Sequence, residues 1–305
     1  MKLRLRSALI TFTFSGWFTG LIPTTSAQNL LSQFPLRKQT QYFDFHYNRD
    51  SSRLANIMRF DDAFIALVNR NFFKADFDYP IRAVVLENEN RFGEFEHYQL
   101  HKAGPPDFGI YLSSEKLFAT YETSGLGTFT HEILHPLVER NLPACPTWAQ
   151  EGIPTFFEKF YGYWKGNELV LYWGFQNPWR IEALGTNLTR LNLQAIISVR
   201  SGSKDRYESE ERMISLFLWE QGRFRRFLRL IAAKDKHGYA SYFEAAMQMP
   251  LERIIPLWQV YLQDVARRRT AILSLPLSTV SDSEAAFQTF AKLHNIPTQQ
   301  VRQLD

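Results

Sequence analysis

Residues 131–135 of this 305-residue sequence read His-Glu-Ile-Leu-His. Side chains four apart on a helix stand above one another on one face, so His131 and His135 can aim ring nitrogens at a single metal ion. Glu132, one residue round from His131, is displaced from that pair but placed to serve as a general base toward water at the ion. A third ligand is offered sixteen residues after His135, in Thr147-Trp148-Ala149-Gln150-Glu151-Gly152. Thr147 followed by Gln150 reads as a capping box, which starts a second helix and puts Glu151 about one turn into it, able to face the first. Two His and one Glu leave one tetrahedral position open, which is the arrangement of a catalytic rather than a structural zinc. One Zn2+ ion is therefore the expected cofactor.

The H-E-x-x-H helix followed by W-x-x-E-G resembles the gluzincin metallopeptidases, the thermolysin-like and aminopeptidase-like superfamily. Two short strands before the motif helix and a late Leu257-Trp258-Gln259-Val260-Tyr261-Leu262 segment extend the likeness over roughly residues 40–265. The resemblance implies peptide-bond hydrolysis, with His131, His135 and Glu151 as metal ligands and Glu132 as base. It also implies a downstream Tyr or His that stabilises the oxyanion, and Tyr207 matches that role best in order and setting. The peptide substrate would pair with an edge strand, for which Asp107–Ser113 and Leu117–Tyr121 are both candidates.

Two residues depart from the family pattern. Pro136 directly follows the second histidine, where it cannot donate to the Glu132 carbonyl and its ring crowds that carbonyl, so a kink or loosening of the helix is expected. Thr155 stands where a thermolysin-like chain offers an Asp to orient a ligand histidine. Glu158 is the nearest carboxylate on that stretch.

The elements around these motifs follow from hydrophobic periodicity. Tyr42–Tyr47 alternates as a half-buried strand, with Phe43, Phe45 and Tyr47 on one face and Asp44 and His46 on the other. A helix follows the capping cluster Asp50-Ser51-Ser52, with Leu54, Ile57, Met58, Ile65, Val68 and Phe72 on its apolar side. Ile81–Leu86 reads as a central strand covered on both faces. Phe108, Ile110 and Leu112 alternate, and Leu117–Tyr121 makes another short strand.

From Ser124 the period turns helical, apart from a strand at 168–173. Helices are predicted over 125–140, 148–161, 207–221, 223–234, 240–248, 251–270 and 282–294, with Gly222 and Gly238 as stops. The predicted fold is α+β: a small mixed sheet with an N-terminal helix, then the H-E-x-x-H helix and a mostly helical C-terminal subdomain. The division is 1–27 as a targeting segment and 28–305 as one domain, with a sheet-containing part over 28–122 and a helical part over 123–305.

The targeting reading comes from Lys2, Arg4 and Arg6 ahead of an uncharged run from Ala8 to Ile22, closed by the small residues of Thr24-Thr25-Ser26-Ala27. This is the pattern of a signal peptide cleaved after Ala27, and it predicts a periplasmic or extracellular protein. The chain has 35 basic and 31 acidic residues. Without those first three basic residues the balance is 32 to 31, which offers no electrostatic case for nucleic acid. The single cysteine, Cys145, excludes an internal disulfide, so the core must be held by burial.

Other signals take plainer readings. His97 and His101, also four apart, have no Glu between them and read as surface residues. Cys145 reads as a small buried hydrophobe. Tyr161-Gly162-Tyr163-Trp164 reads as core or hairpin packing. The arginines at 223, 225, 226 and 229 and at 267–269 read as solvated faces, with contact to an anionic membrane surface as the weaker alternative. Asn187-Leu188-Thr189 is a glycosylation sequon only in a glycosylating source. No residue pattern specifies an oligomeric state. The predicted function is zinc-dependent hydrolysis of a peptide or protein substrate, with Glu132 as base; the alternative is a non-catalytic zinc-binding scaffold of the same fold.

Overall fold

The computed structural model describes residues 30–74, 80–142, 145–198, 208–233 and 239–296. The targeting segment 1–27, Gly238 and Tyr207 lie outside the described residues. The first part holds β1 (Leu36–Gln39), β2 (Phe43–Tyr47), α1 (Ser52–Val68) with a π-turn over Asn69–Phe73, β3 (Ile81–Leu86), α2 (Glu89–Gln99), β4 (Gly109–Leu112) and β5 (Leu117–Tyr121). The chain continues through α3 (Leu126–Asn141), α4 (Thr147–Phe157), β6 (Tyr161–Lys165), β7 (Glu168–Tyr172), α5 (Pro178–Leu184) and α6 (Leu193–Ile197). It then forms α7 (Glu208–Glu220), α8 (Phe224–Ala232), α9 (Tyr239–Met247), α10 (Leu251–Arg267), α11 (Arg269–Leu273), β8 (Thr279–Ser281) and α12 (Glu284–Leu293). The architecture is α+β, with a mixed sheet first and a mostly helical remainder.

The five-stranded sheet has the order β1-β2-β3-β5-β4. β2, β3 and β5 run parallel, while β1 and β4 join antiparallel at the two edges. The central β3 places Ala83 and Val85 in the main core and Val84 and Leu86 in a second core on the opposite face. Its unbroken apolar run is the consequence of cover on both faces.

β2 departs from the half-buried expectation, since all five of its residues are buried. Leu30, Phe34 and α2 cover the second face of the sheet. Asp44 remains tolerable there because the Arg37 guanidinium grips it at 2.6 and 2.9 Å.

Ser51 caps α1, its side chain accepting from the Leu54 N–H. The main core runs from Phe43 in the sheet to Ile272 in α11, so both parts of the chain bury their apolar faces together. Phe60 stacks on Phe160 at 5.6 Å and Phe64 meets Phe157 edge-on at 6.3 Å, which lays α1 against the chain just after α4.

The helical part carries a second sheet of order β7-β6-β8, in which β7 is the expected strand at 168–173 and β8 is the unexpected one. β6 and β7 form a hairpin, and β8 adds parallel to β6 from the far end of the chain. Tyr161-Gly162-Tyr163-Trp164 is thus a strand. Further differences from the sequence reading are the additional helices α2, α5 and α6 and the earlier end of α10, where α11 begins as a separate turn. Among the described residues no helix is long and apolar enough to cross a membrane.

Candidate metal centre

The two motif helices pack against each other and α4 lies on α7. Close approach on the second side depends on Gly152, since a Cβ there would sit 2.8 Å from the Glu211 carbonyl oxygen and 3.1 Å from Ser215 Oγ. Thr130 in α3 donates to the Phe157 carbonyl at the end of α4, tying the two metal-site helices at 3.1 Å.

α3 continues unbroken through Pro136, against the expected kink or loosening. Pro136 still cannot donate to the Glu132 carbonyl, but Ile133, Leu134, Leu137 and Val138 around it are all buried and hold the turn by packing. The capping box also differs. Pro146 is the N-cap of α4, Thr147 is already helical, and no side chain caps the end. The Pro146 carbonyl takes the first amides instead, from Ala149 and Gln150. Glu151 nevertheless faces α3, because it falls on the same side of α4 in either case.

His131 Nε2 and His135 Nε2 are 3.1 Å apart, and Glu151 Oε2 lies 3.5 Å from the first and 3.6 Å from the second. A tetrahedral zinc with bonds near 2.0–2.1 Å puts its ligand atoms roughly 3.3 Å apart, so the triangle fits that ion. These His and Glu side chains, His131 buried and His135 and Glu151 partly so, are positioned to hold a metal ion. The donor set of two imidazoles and one carboxylate suits a borderline cation.

The ligand shell is supported from behind. Glu158, two turns after Glu151 and at the C-cap of α4, places Oε1 2.9 Å from His131 Nδ1, off the line of a regular hydrogen bond. A carboxylate there favours the Nδ1–H tautomer and leaves Nε2 free for a metal. Thr155 turns its hydroxyl back to the Glu151 carbonyl at 2.8 Å and takes no part in orienting His131. Glu158 in turn accepts from Arg180 Nη2 and Nε at 2.5 and 3.2 Å and from Asn177 Nδ2 at 3.1 Å.

Burial opposes charge throughout this site, and the outcome differs by residue. Glu132 is pushed up to about 8 by burial, partly offset by His131 and reinforced by Glu151, Glu208 and Asp107. Burial also disfavours the charged forms of His131 and Glu158. Contacts with Glu151 and Glu158 outweigh it at His131 and raise its pKa well above the ordinary value. Arg180 and His131 outweigh it at Glu158 and hold it well below the usual carboxylate range. The cluster concentrates carboxylates around one point, and a cation at that point relieves their repulsion and favours the ionised form of Glu132.

β4, at the sheet edge, packs against Glu132. Gly109 packs so closely on Glu132 that a Cβ would lie 2.8 Å from both Cγ and Oε1. Tyr111 stacks on His135 with ring centroids 5.5 Å apart and planes 6° from parallel. Glu139, one turn after His135, accepts from Tyr111, Ser113 and Lys116 at 2.7, 2.8 and 2.6 Å and so fastens β4 and its following turn to α3. Of the two candidate edge strands, only β4 is at an edge; β5 lies between β3 and β4.

His131, Glu132, His135 and Glu151 are thus brought together, while Tyr207 lies outside the described residues. His97 and His101 are exposed, and Cys145 is buried. Reading the sequence alone missed Arg180, Asn177 and Gly109, none of which belongs to a spaced motif; the single local signal was Asn177-Pro178 as a helix start. Compared with protein-family models and with curated proteins, the chain matches no family model and no curated sequence.

Proposed function

We propose that this chain is an exported zinc metallopeptidase of gluzincin type, acting on a peptide or protein substrate. The observation that supports it is the convergence of His131 Nε2, His135 Nε2 and Glu151 Oε2 within 3.1–3.6 Å of one another, beside the buried Glu132. His131, His135 and Glu151 would hold a zinc ion, which would supply a Lewis acid to water and to the scissile carbonyl.

The residues of the chain carry the remaining work. Glu132, once ionised, takes the proton of the attacking water on a carboxylate oxygen and passes it to the leaving amine. Glu158 holds His131 in one tautomer through the reaction. β4 stands at the edge of the sheet, so an extended peptide can add to it as a further strand and lie across Glu132 and the metal point. Gly109 lets the Glu132 carboxyl lie directly against that strand, because a Cβ there would fall 2.8 Å from its Cγ and Oε1.

Replacing Glu132 with Gln tests the reading. The expected result is loss of peptide hydrolysis by about 10²–10⁴-fold, with zinc content and melting temperature near those of the parent. Hydrolysis that survives the substitution removes Glu132 as base. A parent protein that binds stoichiometric zinc but cleaves no member of a diverse peptide library supports the non-catalytic scaffold instead.

A further inference from the structure

We infer that Arg180 is a positioning residue of the metal centre, acting through Glu158 to fix the His131 ligand. The inference rests on the reading of His131, His135 and Glu151 as zinc ligands. Arg180 sits in the short helix α5, far along the chain from both motifs, and is 6% exposed. Its guanidinium forks onto both oxygens of Glu158, with Nη2 on Oε1 and Nε on Oε2. The remaining nitrogen, Nη1, pairs with Glu208 Oε2 at 2.5 Å, and the Trp179 ring covers the guanidinium at 3.7 Å. Each of its three nitrogens is therefore engaged, and its plane cannot rotate without breaking a buried contact.

Glu158 Oε1 is the atom shared between Arg180 and His131 Nδ1. A carboxylate held at both oxygens has one orientation, and that orientation sets the tilt of the imidazole whose Nε2 faces the metal point. Arg212, 1% exposed, approaches the other oxygen only to 4.0 Å and donates instead to the Phe175 carbonyl at 2.7 Å, so it cannot replace the fork. His131, Glu158 and Glu208 also lie close enough together to suggest a second metal group. Arg180 already occupies the space between two of those carboxylates, which makes the group an ion-pair cluster.

A residue that only clamped α5 to α4 and α7 would affect folding and leave metal affinity alone. The test uses the full chain with Arg180→Met, Arg180→Lys, Glu158→Gln and the Arg180→Met/Glu158→Gln pair. Zinc dissociation constants are measured by chelator competition, the visible spectrum with Co2+ bound in place of zinc reports ligand geometry, and melting of the metal-free proteins reports stability. Residues that orient a metal-bound histidine are worth about 10–100-fold in metal affinity. Arg180→Met and Glu158→Gln are each expected to weaken zinc binding by that factor and to shift the Co2+ bands.

The double variant should bind no more than about twofold more weakly than Glu158→Gln alone, because the two act as one unit. Arg180→Lys keeps the charge but loses the fork, and is expected to lose at least about threefold; it carries the test if Arg180→Met does not fold. Zinc affinity within twofold of the parent in Arg180→Met, or in Arg180→Lys if Arg180→Met does not fold, overturns the inference even if melting drops. So do losses that multiply in the double variant. A parent chain that binds no zinc overturns the ligand reading itself, and is recognised before any variant is compared.

Discussion

Gly109→Ala is the sharpest available perturbation of the proposed base, because it adds one methyl group and no charge. The new Cβ would stand 2.8 Å from Glu132 Cγ and Oε1 and 3.0 Å from Thr128 Cγ2, where ordinary contact begins at 3.4 Å. Glu132 must therefore retreat by roughly 0.6 Å or the edge strand must lift, and Glu132 is only 6% exposed, so it has little room to swing. Overpacking of this kind costs about 1–3 kcal/mol, whereas misplacing a reacting group by about 1 Å can cost 10²-fold in rate. The expected result is a kcat reduced by about 10–100-fold with zinc content near the parent value, since the three ligand side chains are not among the atoms the new Cβ meets. Steady-state hydrolysis of a peptide substrate, metal analysis and thermal melting read these separately. A kcat within threefold of the parent would refute the placement of Glu132 as the proton-transferring group against β4.

Two further outcomes are expected. Free zinc at a hundred times its dissociation constant should stabilise the chain by about 2.7 kcal/mol, raising Tm by several degrees, and a chelator should reverse the shift; a Tm indifferent to both means that the ion does not bind the folded centre. Lys159 is pushed down to about 7 by burial, with Arg212 adding to the effect, and it donates to the Pro276 carbonyl. Between pH 7 and about 10.4 the unfolded chain holds this proton and the folded chain does not, so stability rises with pH across that window. Lys159→Met should flatten that rise and raise Tm more at pH 6 than at pH 10, which differential melting at the two values checks.

How much was legible in advance depended on how local the cause was. The helix at 126–141 could be placed to within a residue because its apolar spacing and both histidines lie within one element. A cap within Asp50-Ser51-Ser52, which the structure assigns to Ser51, and Ile81–Leu86 as a central strand are equally local, since each depends on neighbours in sequence. The half-buried reading of β2 failed because alternation reports side-chain type, while Asp44 is buried by a partner on another strand, Arg37. The β6–β7 hairpin was legible in part, as the strand at 168–173 and the hairpin reading of Tyr161–Trp164, but β8 was not, because it joins β6 across more than a hundred residues. Thr147 mimicked a capping box because the residue types fitted, yet Pro146 had already taken the N-cap.

The sequence by itself picked out His131, His135 and Glu151 as a group that could hold a metal ion, with Glu132 beside it, since their convergence follows from helical spacing and residue chemistry within a short stretch of chain. Only the tertiary structure decided which carboxylate stands behind His131, which strand is the edge, and how near that strand comes to Glu132. Those depend on contacts between segments far apart in the chain: Arg180 and Asn177 on Glu158, β5 enclosed by β3 and β4, and a glycine whose missing side chain leaves space for Glu132. No periodicity encodes such contacts, because they form only when packing brings separate elements together.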